Sequence, residues 1–233
     1  MVNGESCMNT VKAEPLEIDG AEAVAEPPLG RTDWISAALG LLIEEGIDAV
    51  RITRLAETLE VTRGSFYWHF KDRDDLCAAM MAYWERTNTA AVLSSVEHSD
   101  SLADGILALF DAWLDVARFD PKLDSAMRDW ARRSDDVKRA VEQADAARVE
   151  AISALFEAYD YGPEEARIRA RVIYFGQVGY YALGIEETLV QRIDNLETYY
   201  QAFTGRDIDP DLAQAYRARH LGPTDGPTEG SGT

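Results

Sequence analysis

RITRLAETLEVTRGSFYWHFKDRDDL, residues Arg51 to Leu76, reads as two short amphipathic helices on either side of a turn at Glu60-Val61-Thr62. Ile52, Leu55, Ala56 and Leu59 form an apolar stripe at helical spacing in the first. In the second, Phe66 and Phe70 are four apart and share a face, which is expected to pack on Leu55, Leu59 and the preceding helix. Arg63 with Tyr67, and Ser65 with His69, are likewise spaced by four and occupy other faces. Thr62 stands where a hydroxyl can cap the second helix. A two-turn helix with one apolar face and an Arg/Ser/Tyr/His surface suits the width of a DNA major groove.

Outward from this stretch the helical period continues in both directions. Trp34, Ala38, Leu41, Leu42 and Glu45 recur at helical spacing, and Gly46 stops that helix. A fourth helix is expected from about Asp74 to Val96, one capped by Ser99 or Asp100 through Phe119, and a long one from Ser134 to Tyr159. Gly162-Pro163 marks a break before a helix to about Gly184, and a last helix runs from Glu187 to Thr204. No alternating β-branched run suggests a strand. The expected class is all-α with nine or ten helices, in which a three-helix helix-turn-helix domain over 31–76 precedes a larger helical domain over 77–206. Residues 1–30 read as a disordered acidic arm and 207–233 as a C-terminal tail.

Composition sets limits on function. With 23 basic and 42 acidic residues among 233, the net charge is -19, which disfavours non-specific contact with nucleic acid or anionic membrane. Over 31–76, six Lys/Arg stand against nine Asp/Glu, a net of -3, so binding to DNA has to rest on a few placed cations. Two cysteines, Cys7 and Cys77, suggest neither a disulfide framework nor a metal site. Asp72, Asp74 and Asp75 lack the Gly and terminal Glu of a calcium loop and read as an acidic helix start. There is no signal-peptide pattern and no apolar run long enough to span a bilayer, so a cytoplasmic location with no membrane partner is expected. P-loop, dinucleotide fingerprint, nucleophile elbow and HExxH are all absent, which points away from an enzyme, and no cofactor is expected.

The string VTRGSFYWHFKDRDDL, from Val61 to Leu76, resembles the core signature of the TetR (tetracycline-repressor-like) family, and the resemblance covers about residues 31–80. It implies a sequence-specific DNA-binding transcriptional regulator, a repressor released by a small-molecule ligand. The DNA contacts it implies are Thr53, Thr62, Arg63, Gly64, Ser65, Tyr67, Trp68, His69, Lys71 and Arg73. Two departures stand out. Glu60 occupies the turn position where the family has Gly, and Arg51 stands where a capping Ser or Thr is usual, leaving Thr53 as the nearest alternative cap.

The resemblance further implies a homodimer built on about 163–205, with Gly176, Gly179, Tyr180 and Gly184 at its interface. Helix glycines usually have a packing reason, and close intrachain packing is the other explanation for these. Two recognition helices would then face the half-sites of a palindromic operator in double-stranded DNA. The family's larger domain encloses a cavity, for which Phe110, Trp113, Met127, Arg128, Trp130, Tyr174, Gln177 and Tyr181 are the candidate lining, and their aromatic character points to an apolar or aromatic effector. The rival reading is a helical ligand- or partner-binding protein with a weak or decayed DNA head.

Overall fold

Most of the helices begin where the sequence supplies a cap or a proline for them. The computed structural model describes residues 29–222. α1 (Arg31–Glu45) opens with the Gly30 amide donating to Asp33 Oδ2 at 2.6 Å and ends at Gly46, whose φ of 82° suits a residue without Cβ. A 3₁₀ turn (Ile47–Ala49) leads to α2 (Ile52–Thr58) and α3 (Arg63–Phe66). α4 (Arg73–Trp84) is capped by Asp72, which accepts from the Asp75 amide, and continues through a π-type turn (Glu85–Thr89) into α5 (Ala90–Val96). Ser101 rather than Ser99 or Asp100 caps α6 (Leu102–Leu114), and that helix stops short of Phe119. α7 (Pro121–Ala131), α8 (Asp135–Ala158) and α9 (Pro163–Ala182) start at Asp120-Pro121, Ser134 and Gly162-Pro163, where Pro121, Ser134 and Pro163 suit helix starts in the sequence.

The C-terminal part differs from the sequence reading. The single helix expected over Glu187–Thr204 is two, α10 (Leu189–Asp194) and α11 (Leu196–Thr204), broken at Asn195. The expected tail over 207–233 is, over much of its length, a helix: α12 (Pro210–Leu221) starts with Asp209 accepting from the Asp211 amide and buries Ala213 and Tyr216. Arg219 and His220 both reach Asp111 on α6, which fastens α12 to the body. Residues 1–28 of the expected arm and 223–233 of the tail lie outside the described residues. Twelve α-helices and no strand occur among those described, in agreement with the all-α expectation.

Two apolar cores divide the molecule. One gathers Trp34, Leu55, Phe66, Phe70, Met80 and Trp84, and continues into Leu123, Met127 and Trp130 of α7 and Val137, Val141 and Ala144 of α8. The other joins α5 and α6 to α8, α9 and the three C-terminal helices. The boundary expected at 76/77 therefore falls within α4, and the core of the head runs across it into the body.

Where the two cores meet, a buried polar network ties four helices together. Asp124 on α7 receives the Trp84 indole N–H at 3.0 Å, Arg148 Nη1 at 2.9 Å and Arg128 Nε at 3.0 Å. Arg128 grips Asp145 with both terminal nitrogens, at 2.9 and 2.7 Å. The Tyr174 hydroxyl donates to Asp145 Oδ1 at 2.6 Å and accepts from Arg148 and Arg128, each at 3.0 Å. Arg148, 0% exposed, also reaches Thr89 in the π-type turn at 2.9 Å. Burial alone would push the Asp124 carboxyl up, but Arg148 and Arg128 pull it further the other way, so it sits below the ordinary carboxylate range.

Removing one partner of such a pair leaves the other charge buried and uncompensated. Asp124→Asn should cost about 3–5 kcal/mol of unfolding free energy in chemical denaturation. The lowered carboxyl contributes stability that is present above the ordinary Asp value of about 3.9 and lost as pH falls through the folded value. Denaturation midpoints of the native chain should therefore fall more steeply on acidification than those of Asp124→Asn, and parallel curves would refute this role.

Candidate nucleic-acid interface and effector cavity

The turn between α2 and α3 sets the angle of the reading head. Leu59 ends α2, the Glu60 amide reaches back to the Glu57 carbonyl at 3.2 Å and the Val61 amide to Ala56 at 2.9 Å, the paired bonds of a left-handed helix stop. Glu60 itself takes φ 56°, so the departure from Gly is a strained one. Arg51 is the N-cap of α2 and gives no side-chain cap; its Nε donates instead to the Asp48 carbonyl at 2.8 Å, and Thr53 does not replace it but lies exposed inside the helix. Thr62 holds the N-cap position of α3, yet its hydroxyl pairs at 3.4 Å with Ser65 Oγ and not with the backbone.

α3 is short, and successive turn hydrogen bonds carry its spiral on to His69 and Phe70. Phe66 and Phe70 are buried as expected, stacked on each other at 5.3 Å, with Trp34 edge-on to Phe66 at 5.4 Å. That anchoring turns the opposite surface outward. Thr62, Arg63, Gly64, Tyr67, Trp68 and Lys71 are exposed, Tyr67 by 60% and Trp68 by 88%, while Ser65 and His69 are half-buried. A large indole so exposed has no packing role among the described residues.

The cations of the head divide into two groups. Arg73, expected to face phosphate, turns inward: Nε donates to the Val50 carbonyl at 2.7 Å and Nη2 to Ile47 at 2.9 Å, clamping α4 to the 3₁₀ turn. This turns the side chain away from its expected phosphate contact, and the Ile47 carbonyl it meets also accepts the Val50 amide at 3.2 Å in the 3₁₀ turn. Arg31, which the sequence reading did not single out, donates to the His69 carbonyl at 2.7 Å, lies 4.2 Å over the Phe70 ring and pairs with Asp75. The Lys71 amide and Arg31 hold the Asp75 carboxyl below its ordinary range. Arg54 pairs with Glu45. Only Arg63 and Lys71, at the two ends of the α3 spiral, keep their side-chain charges without an intramolecular partner among the described residues of the head.

A second feature lies far from this surface. A cavity of about 270 Å³ opens between α6, α9, α10, α11 and α12. Phe110, Trp113 and Gln177 line it, as expected, and so do Gly176 and Tyr180, which had been assigned to the dimer interface. The other expected lining residues lie elsewhere. Met127 and Trp130 are in the core beneath the head, and Arg128 and Tyr174 are held in the buried polar network. Tyr181 stacks on Phe119 and donates to the Trp113 carbonyl at 3.2 Å. Leu196, Phe203 and Tyr216, from the helices that the sequence reading merged or missed, complete the lining.

A helix-turn-helix module with an outward aromatic and cationic surface is set on an all-helical body, and this defines the class of fold. The family described as bacterial regulatory proteins, tetR family, matches residues 35–80, the helix-turn-helix module of this chain. The HTH-type transcriptional regulator AcrR of Shigella flexneri is 37% identical over 55 residues, which is 24% of this chain and 24% of that protein. The chain thus matches about a quarter of the length of this curated relative. A TetR transcriptional regulator from Legionella pneumophila has a similar fold, with TM-score 0.55 and 19% identity over 77% of this chain and 96% of that one. Escherichia coli NemR in its reduced form is comparable, with TM-score 0.54 and 19% identity over 77% and 98% of the two chains.

The strain at Glu60 gives a direct test of the turn. Glu60→Gly should raise stability by about 1 kcal/mol, roughly 2–4 °C in melting temperature for a chain of this size. A neutral or destabilising result in thermal denaturation would show that the residue is not held at positive φ.

Proposed function

We propose that the protein is a sequence-specific DNA-binding transcriptional regulator that works as a homodimer on a palindromic operator and is released by a small molecule bound in the aromatic cavity. One observation carries the DNA reading: most of the head's cations are engaged within the chain, and the two that are not flank the exposed Tyr67-Trp68 surface of the recognition spiral. In this reading Arg63, with Thr62, Gly64 and Ser65, meets base edges in the major groove. Tyr67, Trp68, His69 and Lys71 lie along the phosphate backbone, and Thr53 approaches it from α2. Arg73 and Arg31 position the spiral from behind without touching DNA.

Support for a homodimer comes from α9. Ile168, Val172, Phe175 and Gly179 recur at i, i+4, i+7 and i+11, and the three large members of this stripe are each about half exposed. A Cβ added at Gly176 or Gly179 would meet nothing within 4 Å, so close packing inside the chain does not account for these glycines. Tyr199 of α11 adds a further exposed ring. Gly184 has its own reason, a φ of 61° in the turn that leaves α9. To read a palindrome, a two-fold dimer has to present its recognition helices about 34 Å apart, the spacing of successive major-groove turns.

Gel shift with the gene's own upstream DNA at low salt tests the reading. The native chain should bind a palindromic fragment. Arg63→Ala should lose about 1–3 kcal/mol and relax preference at particular bases, whereas Lys71→Ala should weaken all fragments evenly. If no fragment is shifted, with or without ligand, the protein is a helical binding protein whose head no longer reads DNA. Sedimentation should give twice the 25.9 kDa chain mass, and Phe175→Asp should give the monomer; a native chain that sediments as a monomer would refute the dimer.

A further inference from the structure

The cavity between α6, α9 and the three C-terminal helices is unbalanced in its hydrogen-bonding groups. Its walls are chiefly aromatic, with Phe110, Trp113, Tyr180, Tyr199 and Phe203 among them. Three donors on these walls are incompletely met. Gln177 Nε2 is buried without a hydrogen-bond partner. The Tyr216 hydroxyl, on a residue 3% exposed, makes no hydrogen bond of good geometry, although Asp111 stands beside it. Burial and the neighbouring Asp111 push the Tyr216 phenol well above its ordinary range, which keeps it a neutral O–H. Arg192 is half-buried, lies 5.2 Å over the Tyr180 ring and close to the Tyr181 hydroxyl, and has no carboxylate partner in a salt bridge among the described residues. Glu187 is the one carboxylate of the lining, and it already accepts the Tyr180 hydroxyl at 3.2 Å.

Buried donors without acceptors cost about 1–3 kcal/mol each, and a half-buried guanidinium facing aromatic walls has lost much of its hydration. A ligand that restores this balance brings acceptors and negative charge at one end and a flat apolar body at the other. We infer that the cavity binds a small aromatic anion whose carboxylate or equivalent acidic group is held by Arg192 and Gln177, with Tyr216 as a further donor and the ring between the aromatic walls. The volume, about 270 Å³, falls just below the range of about 300 to 1,000 Å³ usual for drug-sized ligands, and so suits a smaller body of one or two fused rings. This inference rests on the reading of the cavity as the effector site and goes further by assigning the chemistry of the effector.

Three probes of one shape separate the alternatives: 2-naphthoate, 2-naphthamide and 2-naphthylmethylamine, titrated calorimetrically against the full chain. The carboxylate should bind at least tenfold more tightly than the neutral amide, and the amine should bind most weakly. Arg192→Met, checked for native helicity, should remove that preference and leave the amide's affinity within about twofold. Gln177→Leu should weaken the carboxylate severalfold without affecting folding. Tighter binding of the amide or amine, or a carboxylate affinity indifferent to Arg192→Met, overturns the anion assignment while leaving the cavity as an effector site. If none of the probes binds, the aromatic anion is overturned as well. Gel shift in the presence of saturating 2-naphthoate judges the regulatory reading separately: bound carboxylate with unchanged DNA affinity refutes release by this site, not the anion chemistry.

Discussion

The buried contact between Asp124 and Arg148 is the interaction on which the arrangement of head and body depends. Two charges removed from water are tolerable only when every remaining donor and acceptor is met. Trp84, Thr89, Arg128, Asp145 and Tyr174 meet most of them here. Those residues come from the rod that leaves the head and from α7, α8 and α9, so the polar satisfaction of one ion pair fixes the mutual placement of four helices. Apolar packing of the same volume would tolerate sliding between helices far better than a hydrogen-bonded network of fixed geometry. The apolar cores on either side supply the bulk of the burial, while the network specifies the register in which they meet.

Much of this was legible in the sequence, and the parts that were not share a cause. Local signals survived intact: the caps at Ser134 and Pro163, the stop at Gly46, and the paired phenylalanines that bury one face of the recognition spiral. Long-range choices did not survive as well. Nothing in the spacing around Arg73 shows that carbonyls more than twenty residues earlier are waiting for it. Arg128 and Tyr174 look from their sequence surroundings like cavity polar groups, yet each finds a charged partner in the fold. α12 carried a readable start in Asp209-Pro210, but the Gly/Pro-rich stretch that follows it dominated the reading of the whole end. With that helix overlooked, one wall of the cavity was overlooked too.

The head also shows how an acidic domain can present a cationic surface. Its net charge argues against DNA, but most of its arginines are bound within the chain, where they hold helices together. The long-range field is weak or unfavourable, and close contact is left to a few exposed groups. Such a surface gains little from counterion release away from its cognate site and depends correspondingly more on shape and on the placement of individual side chains.

The π-type turn at Glu85–Thr89 has a consequence for the rod as a whole. A turn that closes around one additional residue advances everything beyond it by a single residue's rotation, about 100° on a helix of 3.6 residues per turn. The apolar phase of α4, set by the core of the head, and that of α5, set by the body, therefore need not belong to one continuous stripe. The chain has, in effect, a phase slip that lets two independently patterned surfaces share one axis. Its position is also where Thr89 and Asn88 take hold of Arg148 and Asp120, so the slip is pinned from the side and not left to the backbone alone.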